Sequence, residues 1–205
     1  MNEQEKMLAG KIYDPTDPVL AAQQHQAHRL SKQYNDTFDK ESERRAKIVA
    51  KLLPKASADI YLQGPIFFDY GIYTTIGDHF YGNANLSILD DCPVTIGNNV
   101  MFGPNVTLAT PMHPLRYQDR NVKQRSNGSE YDDEYAKPIT IESNCWLASN
   151  VVVIGGVTIG AGSVIGAGYV VTRDIPANSL AVGNPCRVVR QITDKDDIHL
   201  KTDLF

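Results

Sequence analysis

The run LATPMHPLRYQD, residues 108–119, sets a single histidine, His113, between Pro111 and Pro114 at the end of a strand-like stretch. An imidazole titrates near neutral pH, so it can accept a proton from a hydroxyl under physiological conditions. Flanking prolines restrict the local backbone and hold such a base in one place. The other reactive side chains point away from several common chemistries. The three cysteines, Cys92, Cys145 and Cys186, are far apart and odd in number, with no CxxC spacing, which supports neither a disulfide framework nor a thiolate zinc site. They read as small buried hydrophobes. No phosphate-binding GxxxxGK[ST] loop and no dinucleotide fingerprint on a βαβ unit occurs, so nucleotide hydrolysis and Rossmann-type binding are not supported.

The chain around His113 has 205 residues, 42% hydrophobic and 21% charged, which fits one soluble domain with a real core. A net charge of -4 argues against nucleic acid as the main partner. No apolar run is long enough to cross a bilayer, and MNEQEKMLAGKIY lacks the pattern of a signal peptide, so no membrane partner is expected and the cytoplasm is the expected compartment. A small-molecule ligand is expected.

From Ile141 the sequence falls into lines of six: IESNCW, LASNVV, VIGGVT, IGAGSV, IGAGYV, VTRDIP. Positions 141, 147, 153, 159, 165 and 171 are all aliphatic, and Cys145, Val151, Val157, Ser163 and Tyr169 recur four residues later. An earlier block, IGDHFY, GNANLS, ILDDCP and, after a two-residue slip, IGNNVM, FGPNVT, LAT, repeats the pattern, with Ile96, Phe102 and Leu108 in its second phase. A period of six is neither that of an amphipathic helix nor that of an alternating strand. It specifies a solenoid in which each line makes one short strand and a corner, and three lines complete a triangular coil.

Before the coil, Asp17 and Pro18 read as the N-cap and first residue of a helix reaching about Tyr34. DKESERRAKIVAKLLP reads as a second helix ended by Pro54. Together they should cover one open end of the coil. The other end is closed by NPCRVVRQITDKDDIHL, whose composition reads as helical. The expected division is therefore a helical segment over 1–56, a β-helix over 57–185 with a loop extruded at about 114–137, and a C-terminal helical segment over 186–205. Long excursions from a regular core often carry function. The middle of this one, Arg120 to Asp133, reads as a flexible insertion.

The motifs FFDYG, FYGNANLSILDDCPVTIGNNVMFGPNVTL, HP, KPITIESNCWLASNVVVIGGVTIGAGSVIGAGYVVTRDIP and VGNPCRVVR resemble those of the maltose and galactoside O-acetyltransferases, and MLAGKIYDPTDPVL extends the resemblance across nearly the whole chain. The resemblance implies a mostly β fold, a left-handed parallel β-helix of hexapeptide repeats, an exception to the usual right-handed crossover. It implies a homotrimer with active sites between subunits, acetyl-CoA as co-substrate with no metal required, and a sugar as acceptor. It also implies direct transfer, with His113 as general base and Glu134 as the residue that holds it. Acceptor-contact positions fall on Asp69, Asn83 and Asp91, with Tyr81 and Trp146 as aromatic neighbours. Short acids and amides suit vicinal sugar hydroxyls. Asp17 matches a substrate-contacting acid in relatives but is also the N-cap candidate. Relatives tend to carry arginine where this chain has Gln24, Gln26 and His28. Coenzyme positions fall on Asn83, Trp146, Ser149, Ala167 and Gly168 along the coil, and on Thr172, Arg173, Arg187 and Arg190 at the adenosine end, where arginines suit phosphates.

Three other functions share part of this pattern. An antibiotic O-acetyltransferase would share the coil and the histidine, but MLAGKIYDPTDP resembles the sugar-enzyme version. A zinc carbonic anhydrase on the same coil needs three metal-binding histidines, and only His79 and His113 fall in the coil region. A non-catalytic scaffold would not need His113, Asn83, Asp91 and paired arginines together.

Overall fold

The computed structural model describes residues 1–204. Its strands stack into three parallel sheets that the chain visits in rotation, one strand per face. The first face stacks Lys55–Ala56, Thr74–Ile76, Val94–Ile96, Ile139–Ile141 and Thr158–Ile159. The third stacks Ile66–Phe68, Leu86–Leu89, Thr107–Ala109, Val152–Ile154 and Val170–Val171. The second runs from Ile60–Leu62 through Phe80–Gly82, Met101–Phe102, Trp146–Leu147 and Val164–Ile165 to Ser179–Val182. Stacked partners recur 20 residues apart in the early coils, as in Tyr61↔Tyr81↔Met101, and 18 apart in Trp146↔Val164.

The six-residue period becomes three columns of apolar side chains along the axis. Ile141, Leu147, Val153, Ile159, Ile165 and Val171 are fully buried, as are Phe102 and Leu108 before them. The positions four residues on, Cys145, Val151, Val157 and Ser163, are buried as well, and Tyr169 is half-buried. All three cysteines are buried and unpaired. Each strand is too short to hold itself; burial of these columns together with the interstrand hydrogen bonds supplies the stability.

Corners need backbone that turns sharply, and this chain uses asparagine for it. Asn85, Asn105 and Asn150 adopt positive φ of 59°, 60° and 60°, a region that asparagine tolerates better than most residues. Their amides form a ladder: Asn85 Nδ2 donates to Asn105 Oδ1 at 2.8 Å, and Asn105 Nδ2 donates to Asn150 Oδ1 at 3.0 Å.

Three helices precede the coil: α1 (Glu3–Leu8), α2 (Pro18–Asn35) and α3 (Ser42–Leu52). The sequence alone marks α2 and α3 and not the short α1. Asp17 caps α2, accepting from the Val19 and Leu20 N–H groups. Helices α2 and α3 cover the first coil: Ala27, Leu30, Tyr34, Ile48, Leu52 and Leu53 join the cluster that contains Leu62, Ile66 and Phe68. Asn35 completes the seal by bonding both polar groups of Ile66, so the rim strand is not left unpaired.

The opposite end departs from expectation. Residues Arg187–Gln191 form a strand, antiparallel to Ser179–Val182, followed by three short 3-10 turns between Asp194 and Leu204. The last coil strand has an open edge that needs hydrogen-bond partners, and the adjacent β-branched Val188 and Val189 favour extended backbone over helix. The middle of the excursion is also not the loose insertion that composition suggests. It holds a one-turn helix, Tyr117–Arg120, and a hairpin pairing Lys123–Gln124 with Glu130–Tyr131. Lys123 pairs with Asp133 at 2.5 Å, and Arg125 reaches Asp14 before α2. No helix among the described residues is long and apolar enough to cross a membrane.

Replacing Asn105 by Ala removes two amide hydrogen bonds and places a less tolerant residue at positive φ. It is expected to cost about 1–3 kcal/mol. Thermal unfolding at fixed protein concentration checks this, and an unchanged midpoint would show that the ladder carries no stability.

Candidate active site

His113 owes its position to the two arms of the excursion. The outgoing Pro111–Met112 pairs antiparallel with the returning Tyr135–Ala136, matching Pro111 to Ala136 and Met112 to Tyr135. The next residue on each arm is His113 on one side and Glu134 on the other. Their side chains meet with His113 Nε2 and Glu134 Oε1 at 3.6 Å, an ion-pair distance too long for a good hydrogen bond. His113 is half-exposed at 49% and Glu134 is 13% exposed, so the imidazole faces solvent with an acid behind it.

A third segment locks Glu134. Tyr13 forms a backbone bridge with it, each N–H donating to the other's carbonyl at 2.9 and 3.2 Å. The Tyr13 hydroxyl then stands between two acids, 2.9 Å from Glu134 Oε2 and 3.0 Å from Asp91 Oδ1. Tyr13 is 2% exposed and packs with Met7, Leu20, Tyr70 and Tyr73. In YDPTDPVL the sequence marks Asp17 and not this tyrosine; a lone aromatic before a turn carries no periodic signal.

The two aspartates of LDDCP have different work. Asp90 is fully buried and accepts from the Tyr70 and Gly71 N–H groups at 2.9 and 3.0 Å and from the Thr74 hydroxyl at 2.9 Å. It ties a turn of the preceding coil. Asp91, expected at the acceptor, is 4% exposed, spends Oδ1 on Tyr13 and leaves Oδ2 buried without a partner. Burial, with the nearby Asp69 charge next, pushes the Asp91 carboxyl up to about 7. Burial followed by the Asp91 charge pushes Glu134 up to about 7 too. Asp69 is 7% exposed and lies near Gln24 Nε2 and His28 Nε2, at 3.5 and 3.4 Å from its Oδ1. Burial, with Asp90 next, lifts Asp69 to about 6. His28, whose ring lies 4.9 Å from that of Phe67, is shifted downward by burial. Gln24 and His28 of α2 are thus both turned on Asp69. Asp17 serves as the N-cap of α2.

The other expected residues gather elsewhere, on the second face. A cleft of about 530 Å³ is lined by Tyr81, Asn83, Trp146, Ser149 and Ala167, together with Met101. Asn83 holds the turn by accepting from the Ala84 N–H at 2.8 Å, and Tyr81 stacks on Tyr61. Gly168 follows the cleft at φ +79°, with open space where a side chain would stand. Met101 was not anticipated, although it occupies the outward phase shared by Tyr81 and Trp146. Thr172, Arg173, Arg187 and Arg190 are exposed near the end of the coil. Arg190 is engaged by Asp196 through two bonds of 2.7 and 2.8 Å, which hold the Asp196 carboxyl down at about 2. The cleft lining does not include His113 or its acids.

The maltose acetyltransferase hexapeptide capping motif matches residues 6–57, and the six-repeat bacterial transferase hexapeptide matches residues 138–173. The galactoside O-acetyltransferase of Escherichia coli (strain K12) is 40% identical over 94% of this chain and 90% of its own length. This chain belongs to the maltose and galactoside O-acetyltransferase family. A maltose O-acetyltransferase from Clostridium difficile 630 superimposes with a TM-score of 0.84 at 39% identity, over 95% of this chain and 99% of its own. A galactoside acetyltransferase solved in complex with coenzyme A gives a TM-score of 0.85 at 38% identity, over 96% and 94%. The chain is accordingly an acyltransferase with the mostly β, parallel β-helical fold of that family, and not a bare scaffold.

Asp69, Asp91 and Glu134 all hold protons more tightly folded than unfolded. Unfolding therefore releases protons as pH rises from about 4 to about 7, and stability should fall across that window. Each group contributes at most about 1.4 kcal/mol per pH unit. Unfolding midpoints measured from pH 4 to 8 should decline, and Asp91→Asn should decline less. Identical slopes would show that Asp91 titrates normally.

Proposed function

We propose that this enzyme transfers acetyl from acetyl-CoA to a hydroxyl of a sugar of the maltose, glucose or galactoside type. The observation that carries the reading is His113 held beside partly buried Glu134 by the zipped arms of the excursion. A general base needs fixed geometry more than any other property. With Nε2 turned to Glu134, Nδ1 is the nitrogen left to accept the acceptor proton.

In this reading the acceptor oxygen attacks the thioester carbon as its proton passes to His113, so no acetyl-enzyme forms. Glu134 stabilises the imidazolium that develops. Collapse of the tetrahedral intermediate breaks the C–S bond, and the imidazolium returns its proton to the departing thiolate. Asp69 and Asn83 bind acceptor hydroxyls, with Tyr81 and Trp146 as apolar walls. The pantetheine arm lies along Ser149, Ala167 and Gly168, where small residues permit close approach. Thr172, Arg173 and Arg187 meet the adenosine phosphates, and Arg190 joins them by exchanging its Asp196 partner.

A second copy of the chain is part of this proposal. Tyr61, Tyr81, Met101, Trp146, Val164 and Leu180 stand in unbroken register along the second face, and Tyr61, Met101 and Trp146 are 45–50% exposed. Such an apolar ladder is costly to leave in water. Covering it with neighbouring subunits in a homotrimer would bring the cleft of one chain toward the His113 of another. The cytoplasm is the proposed compartment.

Free-thiol release from acetyl-CoA should be seen with maltose, glucose or galactosides. His113→Ala should lose about 10²- to 10⁴-fold in turnover while keeping its fold; near-wild-type turnover would remove His113 from the mechanism. Light scattering should give a native mass near three times 22.7 kDa, and a mass near a single subunit would refute the shared site.

A further inference from the structure

One hydroxyl hydrogen cannot serve two carboxylates. Tyr13 Oη lies 3.0 Å from Asp91 Oδ1 and 2.9 Å from Glu134 Oε2, and a tyrosine has one hydrogen to donate. For both contacts to be hydrogen bonds, one of the two acids must itself carry a proton and donate to the tyrosine oxygen. The surroundings say which. Asp91 is the more buried acid, and its Oδ2 faces no donor, an arrangement that penalises a carboxylate far more than a neutral acid. Glu134 turns its second oxygen, Oε1, toward His113.

We propose that Asp91 is kept as a neutral carboxylic acid whose proton is donated to Tyr13, while Tyr13 donates to Glu134 and fixes the negative charge beside His113. Tyr13 and Asp91 are then positioning residues that act through Glu134 on the base. The proton count is closed: Asp91 Oδ1–H to Tyr13 Oη, Tyr13 Oη–H to Glu134 Oε2, and a Glu134 carboxylate facing the imidazole. If the proton sat on Glu134, the chain would reverse and the charge would lie on Asp91, away from the histidine.

The groups around the pair favour this order. Burial opposes a charge on Asp91, and so do Asp69 of the preceding coil and the adjacent Asp90, while Asp69 itself is turned to Gln24 and His28 of α2. Cys92 and Tyr70, whose own ionisations are pushed up in part by Asp91, bring no positive charge. Burial opposes a charge on Glu134, as do the Asp91 charge and Asp132 on its own arm; a neutral Asp91 withdraws its share of that opposition, and the Tyr13 hydroxyl and His113 opposite favour the charge. Of the two imidazoles nearby, His28 is turned to Asp69, and His113 faces the pair itself from the Glu134 side.

The role in catalysis rests on the acetyltransferase reading above, but the protonation state does not, so it is measured without turnover. Infrared spectra of the full-length protein at neutral pH should show a carboxylic acid C=O band that shifts on ¹³C labelling of aspartate carboxyls. The band should not shift on labelling of glutamate, and it should vanish in Asp91→Asn. A band that follows glutamate labelling, one that persists in Asp91→Asn, or no such band would overturn the assignment. Tyr13→Phe keeps the ring and removes the relay. It should move the acid limb of kcat/KM to higher pH and lower kcat about tenfold, with KM for acetyl-CoA unchanged. An unshifted pH profile in this variant would show that Tyr13 acts only in packing. Should Tyr13→Phe not fold, the labelling experiment on the wild type and Asp91→Asn still decides. A sound infrared result with no activity on any acceptor would fault the functional reading and leave the proton assignment standing.

Discussion

Every coil must find the one before it. The chain leaves the solenoid after Thr107–Ala109 and regains it at Ile139–Ile141, yet stacking continues as though nothing intervened: Val94 pairs with Ile139, and Leu108 with Val153. Because both ends of the excursion are fixed to one corner, its arms are forced together. Their short antiparallel pairing brings His113 opposite Glu134, residues otherwise separated by a loop whose length has no bearing on the fit. The site is thus a by-product of closing the coil, and its rigidity is borrowed from the buried columns of Ile96, Ile141 and Ile159.

The electrostatics follow from the same closure. Wrapping the N-terminal segment over the corner buries Tyr13 between Asp91 and Glu134, with Asp69 nearby. Several carboxyls so close in a drying environment cannot all ionise at their ordinary pH. The protein meets this by division of labour. Asp90 is tied by backbone and hydroxyl donors, Asp69 is turned to side chains of α2, and Asp91 shares the tyrosine with Glu134. What results is an imidazole with a partly buried acid on one side and open solvent on the other, the setting on which the proposed proton transfer rests.

The expected coenzyme and acceptor residues separate into two groups. Tyr81, Asn83, Trp146, Ser149 and Ala167 meet in one cleft because the stacking brings positions 20 or 18 residues apart onto one outward column. The His113 cluster stands at the corner where the excursion departs. An exposed apolar ladder beside the cleft joins these two facts, since the surface that most needs covering is also the one lined with expected binding residues.

The architecture was legible because a period of six can be met only by a strand and a corner, repeated; burial of residues 141, 147, 153, 159, 165 and 171 follows directly. The cap of α2 was equally plain, since Asp followed by Pro is a local signal answered within three residues. His113 stood out as a titrating group on a proline corner. Other features were decided only in three dimensions. Which of Asp90 and Asp91 bonds a turn, and which faces a tyrosine, depends on partners from other coils. Tyr13 acts through residues 78 and 121 positions away, beyond any local pattern. Arg187–Gln191 became a strand because an open edge lay beside it, overriding a helical composition. Period and capping are properties of neighbours along the chain and can be read from it. Proton placement and edge pairing depend on which groups share a buried space, and that is known only once the coil has closed.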